Sequence, residues 1–182
     1  MTPTPPRHGA TPAPFTVFLD LVDAPVLVVG GGDAAMAKCR LLLPAGAAVR
    51  VVEPAPERAL EDLAEEGRVA LLRRAFAPAD LDGVRLCCVA LEDAEEAAGV
   101  VAEARRRGVL VNAVDRPALC DFATPAMLRR GQVAIAIGTG GIAPALARDL
   151  RARIEAAAVE SNRLLRKGLR SSRPPRGQED PA

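Results

Sequence analysis

A glycine-rich turn between an apolar run and a helical segment is the first part of this sequence that predicts chemistry. Residues 26–29 form an unbroken apolar run, as expected of a strand buried on both faces of a parallel sheet, and glycines follow at once. Gly30, Gly32 and Ala35 fit the G-x-G-x-x-G/A pattern, in which glycine backbone approaches a pyrophosphate. The following helix would turn its unpaired N–H groups toward the phosphates. A tight strand–helix turn without a ligand is the alternative.

An acidic residue follows at the spacing that such a turn requires. The second predicted strand, residues 49–52, ends at Glu53, about 20 residues beyond the glycines, where a carboxylate would hold a ribose hydroxyl. A carboxylate there would repel a 2′-phosphate, so the sequence favours NAD over NADP; a solvated strand end is the alternative. The predicted cofactor-binding residues are Gly30, Gly31, Gly32, Asp33, Ala34, Glu53, Pro54 and Ala90.

Alternating strands and helices must position these residues. The predicted strands are 26–29, 49–52, 69–72, 84–90 and 109–111, and the predicted helices are 33–43, 56–66, a single turn at 78–82, and 93–107. This alternation with short connections indicates an α/β fold with a Rossmann-type open parallel sheet. Since ligands of such sheets bind beyond the carboxyl ends of the strands, we expect residues 30–32, 90–93 and 112–115 to meet at one edge.

The pattern changes after Asp115. Residues 120–125 have no regular pattern, 132–137 alternate like a strand of a separate small sheet, and 144 to about 165 indicate a helix with Pro144 in its first turn. This part is too small to bury a core alone, so we expect it to pack on another subunit. The predicted division is a disordered tail at 1–14, an NAD-binding domain at 15–113, a dimerisation region at 114–143, a C-terminal helical region at 144–170 and a disordered tail at 171–182.

Composition limits the classes of function. The 182 residues carry a net charge of +1 and 2% aromatics, which disfavours nucleic-acid binding through a basic field or base stacking. No apolar run is long enough for a membrane span, and residues 1–14 do not have the pattern of a secretory signal. The four cysteines lack C-x-x-C spacing, Cys87 and Cys88 would pack as small apolar residues, and the only histidine, His8, lies in a tail. We expect no metal site and a reduced, cytoplasmic protein.

Several motifs together resemble one protein family. They are Phe18-Leu-Asp-Leu, Val28-Val-Gly-Gly-Gly, Lys38 with Arg40-Leu-Leu-Leu, Asn112-x-Val-Asp115, Cys120-x-Phe-x-x-Pro-Ala126 and Thr139-Gly-Gly-x-x-Pro-x-Leu-Ala147-Arg148. From about residue 15 to residue 154, the chain resembles the precorrin-2 dehydrogenase/sirohydrochlorin ferrochelatase family, which includes the N-terminal module of siroheme synthase. It departs from the family pattern at Leu91, Ala97 and Gly138.

The resemblance implies a Rossmann domain, a small dimerisation region and a helical C-terminal part that form a homodimer. It implies NAD as cofactor and oxidation of precorrin-2 to sirohydrochlorin, in the stand-alone form, because no methyltransferase module follows in the sequence. Some members then insert ferrous iron to give siroheme, and the sequence leaves open whether iron is a substrate here. The implied partners are precorrin-2, sirohydrochlorin and a second copy of the chain, without nucleic acid or membrane.

Asp115 is the acid/base candidate that the resemblance implies, at a predicted strand end near the cofactor turn. Its carboxylate could take the proton released in dehydrogenation and the pyrrole protons displaced by a metal ion. A simple turn residue before Arg116 and Pro117 is the alternative. Arginines could meet the carboxylates of the substrate, or be solvated surface charges. The Gly140-Gly141 loop before the last helix could hold an anion, or be a flexible connection. The candidate substrate-binding residues are Asn112, Arg116, Thr139, Gly140, Gly141 and Arg148.

Two other functions would use the same features. A non-catalytic nucleotide sensor would keep the glycine turn and would not need Asp115. A degenerate subunit would only dimerise or carry the tetrapyrrole. Turnover of precorrin-2 distinguishes the enzyme from both.

Overall fold

The chain forms two compact units, the first ending at Ala123 and the second beginning at Thr124. The computed structural model describes residues 14–131, 133–141 and 143–160. The predictions made for His8, for the tails at 1–13 and 171–182, and for the helix beyond residue 160 lie outside the described residues.

A parallel sheet forms the centre of the first unit. Its five strands are β1 Pro25–Gly30, β2 Ala48–Val52, β3 Ala70–Leu72, β4 Leu86–Ala90 and β5 Leu110–Ala113, in the spatial order β3-β2-β1-β4-β5. The connections contain helices α1 Gly32–Leu42, α2 Arg58–Glu65 and α3 Ala94–Arg106, and short 3-10 turns at Leu43–Ala45, Pro78–Leu81 and Pro117–Leu119. The predicted α/β fold with a Rossmann-type parallel sheet is confirmed.

Both faces of this sheet are covered, because successive side chains of a strand point to opposite faces. On β1, Val26 and Val28 pack in one apolar cluster with α1 and α2, whereas Leu27 and Val29 pack in a second cluster with α3. All four side chains are buried. A strand that is apolar on both faces has a continuous apolar sequence, which is why the sequence located these strands.

The second unit is a small antiparallel sheet with one helix. It contains β6 Ala126–Arg130, paired with β7 Val133–Ile137, and α4 Pro144–Glu160. β7 confirms the predicted strand of a separate sheet, and α4 confirms the predicted helix as far as it is described. The strand β6 is missing from the prediction, because Ala-Met-Leu-Arg-Arg shows no apolar alternation. Its pairing with β7 gives this segment its extended conformation.

The cysteines lie in the first unit and none of the four forms a disulfide. Cys39, Cys87 and Cys88 are buried. Burial raises the pKa of the Cys39 thiol to about 11. Burial also raises the pKa of Cys88 to about 11, although the nearby ammonium of Lys38 acts in the opposite direction. Thiols with such values stay protonated, which agrees with the expected packing role of Cys87 and Cys88.

Candidate functional site

The glycine turn joins the end of β1 to the start of α1, and it packs against the end of β4. Gly30 has a φ of +109°, and a Cβ placed there would lie 2.6 Å from the carbonyl carbon of Ala90. Main chain cannot yield to such a contact, so only glycine allows this approach. The register pairs Gly30 with Ala90, which places both predicted cofactor residues at the carboxyl edge of neighbouring strands.

The first turn of α1 has the features of an anion site that the pattern predicts. Gly31 precedes the helix and no side chain caps the helix N-terminus. Gly32 has a φ of +63°, and Asp33 and Ala34 follow it in the first turn. Unpaired N–H groups and the positive end of the helix dipole therefore face the glycine turn, where a pyrophosphate would be held. Ala35 is fully buried, as the close packing of this helix on the sheet requires.

Glu53 follows β2 and lies beside the same turn. A Cβ placed on Gly31 would be 3.0 Å from the carboxyl carbon of Glu53, so the carboxylate and the glycine backbone are close neighbours. One carboxylate oxygen accepts a hydrogen bond from the main-chain nitrogen of Ala55 at 2.9 Å, which holds the side chain in place. Pro54, between them, is exposed. The remaining oxygen lone pairs suit a ribose hydroxyl, as in other dinucleotide sites.

The chain after β5 is held to the rest of the unit by Asn112. Its side chain is buried, and its oxygen accepts a hydrogen bond from Nζ of Lys38 at 2.5 Å. Its amide nitrogen donates to the main-chain oxygen of Phe122 at 2.8 Å. Asn112, predicted to bind substrate, thus connects α1, β5 and the segment that ends the first unit.

Asp115 occupies an exposed turn directly after β5, with a φ of +57°. The left-handed region is uncommon for a residue with a side chain and persists only where neighbouring contacts hold it. One such contact is the thiol of Cys120, whose sulfur accepts from the main-chain nitrogen of Ala113 at 3.2 Å. The single S–H can donate to one of two main-chain oxygens within reach, that of Ala113 at 3.1 Å or that of Arg116 at 3.4 Å. The turn therefore presents the Asp115 carboxylate on a defined backbone.

Arg116 makes contacts that the sequence reasoning missed. Its guanidinium donates to the main-chain oxygens of Leu91 and Glu92, at 2.8 Å and 2.6 Å. These two residues follow β4, so the arginine predicted to meet a substrate carboxylate bonds to a neighbouring loop. The acceptors are main-chain atoms far away in sequence, and no residue pattern could have indicated them.

The other predicted substrate-binding residues belong to the second unit. The hydroxyl oxygen of Thr139 accepts a hydrogen bond from the main-chain nitrogen of Ala143 at 3.3 Å, just before α4. Gly140 and Gly141 both have positive φ, +62° and +84°, a conformation that favours glycine. Arg148 is exposed on α4.

The carboxyl edge of the first unit therefore brings together the glycine turn, Glu53, Ala90 and the Asp115 turn, as the sequence predicts. These groups fit NAD: main-chain N–H groups can donate to the pyrophosphate, and the Glu53 carboxylate can accept from a ribose hydroxyl. Among the described residues there is no cluster of three or more His, Cys, Asp or Glu side chains that could hold a metal ion. No helix in the described part of the chain has the length and hydropathy needed to cross a bilayer.

Comparisons with known proteins point to the same cofactor. A family model described as NAD(P)-binding matches residues 17–126, more than half of the chain. The siroheme synthase of Methylococcus capsulatus is 47% identical over 139 residues, which cover 76% of this chain and 29% of that protein. The siroheme synthase of Pseudomonas fluorescens Pf0-1 is 48% identical over 139 residues, which cover 76% of this chain and 30% of that protein.

A solved structure gives the same result for the fold. The protein named SirC, precorrin-2 dehydrogenase, matches with a TM-score of 0.67 and 29% identity, covering 79% of this chain and 70% of that chain. The chain spans about 30% of the length of the siroheme synthases that it matches.

Proposed function

The chain belongs to the NAD(P)-binding family that includes the N-terminal module of siroheme synthase, and from this premise we propose that it oxidises precorrin-2 to sirohydrochlorin with NAD. The observation that carries the proposal is the arrangement at the carboxyl edge of the sheet. There the Asp115 turn follows β5, and β5 pairs with β4, the strand that ends at Ala90. β4 pairs with β1 on one side and with β5 on the other, so a cofactor turn and an exposed acid occupy one edge.

Each residue of this edge has a distinct part in the proposed reaction. The N–H groups of the first turn of α1 hold the pyrophosphate, and Glu53 accepts hydrogen bonds from a ribose. NAD, when bound, supplies the acceptor for a hydride. The oxidation removes a hydride and a proton from the macrocycle, two electrons in all, and Asp115 takes the proton. The alternative use of the site, nucleotide sensing, would require no carboxylate at residue 115.

The test is a turnover assay. Purified protein is incubated with precorrin-2 with and without NAD, and the absorbance of sirohydrochlorin is followed. NAD-dependent formation of sirohydrochlorin is the expected result; its absence from a folded, NAD-binding protein would leave a nucleotide sensor or a tetrapyrrole carrier. Ferrous iron added afterwards decides whether the chain also makes siroheme.

The proposal extends to the assembly and the compartment. We propose a homodimer, because Leu128 and Ala147 are the only buried side chains among those of the second unit whose burial the structure describes, which excludes residues 158–160. A unit with so small a core needs a further surface to cover its apolar side chains. A cytoplasmic location fits four cysteines that are all free, since thiols persist in reducing compartments.

A further inference from the structure

The guanidinium of Arg116 joins two loops at the carboxyl edge of the sheet. One terminal nitrogen donates to Leu91 O at 2.8 Å, and the other donates to Glu92 O at 2.6 Å. The turn after β5 is thereby tied to the loop after β4. Both acceptors are main-chain oxygens, so the contact depends on the reach and planar fork of arginine rather than on a charged partner.

We propose that Arg116 is a positioning residue, which sets the place of the Asp115 carboxylate by clamping its turn to the loop after β4; this inference rests on the proposed dehydrogenase function. Asp115 has a left-handed backbone, which persists only where the surroundings hold it. Cys120 holds the turn on one side, because its sulfur accepts from Ala113 N and its S–H lies within reach of the main-chain oxygens of Ala113 and Arg116. The side chain of Arg116 fastens it on the other.

The loop that receives the clamp also meets the cofactor turn. A Cβ on Gly30 would lie 3.1 Å from the main-chain nitrogen of Leu91, so the end of β1 packs closely against the loop after β4. Arg116 bonds to the carbonyl of the same Leu91. The clamp therefore fixes the position of the Asp115 carboxylate relative to the glycine turn that would hold the cofactor. A displacement of a catalytic group by about 1 Å can cost about 10²-fold in rate.

The kinetic test compares Arg116→Leu with Arg85→Leu, which removes an exposed arginine just before the amino end of β4. For Arg116→Leu we expect kcat to fall about 10–100-fold while KM for precorrin-2 changes less than about threefold. Arg85→Leu should change neither constant. A guanidinium that binds a substrate carboxylate would give the reverse, a raised KM with kcat preserved, and that result would overturn the proposal.

A conservative variant adds a second kinetic comparison. Arg116→Lys keeps the positive charge but offers one nitrogen in place of the fork, so its kcat should lie between those of the wild type and Arg116→Leu. Wild-type kcat in Arg116→Lys would show that charge alone matters, and it would overturn the clamp.

Amide hydrogen exchange tests the clamp without an activity measurement. In the cofactor-free protein, amide hydrogen exchange of residues 113–119 should be faster in Arg116→Leu than in Arg85→Leu, with β1 unchanged. Unchanged exchange in the turn, or faster exchange throughout the sheet, would overturn the clamp. If the wild type does not oxidise precorrin-2, the proposed function fails, and the exchange result alone still decides whether Arg116 holds the turn.

Discussion

At the scale of the residue, Asp115 combines the carboxylate proposed to take up a proton with an unusual backbone conformation. Only Asp23 and Asp115 have positive φ among the described non-glycine residues, at +55° and +57°. Aspartate and asparagine tolerate this region better than other residues with side chains, because their short polar side chains bond locally. Asparagine is therefore the substitution that removes the acid from this turn without changing its conformation.

Asp115→Asn should keep the fold and lose proton transfer. Loss of a general base typically costs about 10²–10⁴-fold in rate, and iron insertion, if present, should suffer at least that much because pyrrole protons must leave. Dehydrogenation should suffer less, since hydride transfer depends chiefly on orientation. The measurement is turnover of both steps, with NAD titration to check the fold.

Asp23→Asn is the matched control, with the same substitution in the same backbone region just before the first strand. It should leave both rates unchanged. Wild-type rates in Asp115→Asn would remove this carboxylate from the mechanism and leave Asp115 as a turn residue.

Glu53 should set the preference for NAD over NADP. Glu53→Gln keeps an acceptor for the main-chain nitrogen of Ala55 and removes the charge. Repulsion of about 1 kcal/mol between charges in a solvated site corresponds to about fivefold in affinity, so NADP should bind about fivefold more tightly to the variant. Titration of both nucleotides measures this, with Glu66→Gln, an exposed site, as control. Equal wild-type affinity for both nucleotides would contradict the assignment of Glu53.

At the scale of the element, the segments that the sequence located are those whose burial leaves a local pattern. The adjacent strands β1 and β4 are continuous apolar runs, and the glycine turn is defined by residues that adjoin in sequence. The strand β6 was missed because its extended conformation comes from pairing with β7 and leaves no such pattern in its own sequence. The contacts of Asn112 and Arg116 could not be predicted for a related reason. Asn112 accepts from Lys38 and Arg116 donates to the main-chain oxygen of Leu91, and both partners are distant in sequence and come near only in the folded sheet.

The loop between β3 and β4 contains a buried acid that should make stability depend on pH. Asp80 is buried, and it accepts from both terminal nitrogens of Arg74, at 2.8 Å and 2.6 Å, and from the main-chain nitrogen of Ala77 at 2.8 Å. The hydrogen bonds from Arg74 lower the pKa of Asp80 below its ordinary value, against the opposing effect of burial. A carboxylate whose pKa is lowered by folding stabilises the protein above its unfolded pKa, and this contribution is lost as the pH falls through the folded value.

Asp80→Asn should therefore destabilise the cofactor-free protein by about 1–3 kcal/mol at neutral pH, the usual cost of losing hydrogen bonds to a charged group. The difference from wild type should shrink in acid, where Asp80 itself becomes protonated. Urea unfolding at neutral and at acidic pH measures both values. Asp62→Asn, in an exposed i,i+4 pair with Arg58, should cost less than about 1 kcal/mol. An equal cost for Asp80→Asn at both pH values would contradict the assignment.

At the scale of the whole molecule, the two units differ in how well they cover their apolar side chains. The first unit buries two extensive clusters on the faces of its sheet. It still leaves the segment before β1 uncovered, with Phe15 91% and Phe18 70% exposed. In the second unit, Val133 and Leu146 are 46% and 50% exposed. Single exposed apolar side chains are common on protein surfaces, so the small buried core of the second unit, rather than their number, is the basis of the proposed dimer.

The proposed homodimer predicts the mass of the protein in solution. If a second copy covers the second unit, the wild type should have twice the monomer mass at micromolar concentration, and Leu146→Asp should shift it toward monomer, because a carboxylate is costly to bury in an apolar contact. Leu41→Asp is the matched control, a leucine 37% exposed on α1, and it should leave the mass unchanged. Light scattering across a range of concentrations measures both. A wild-type monomer at micromolar concentration would contradict the dimer, and a dimer unaffected by Leu146→Asp would place the contact away from this face of α4.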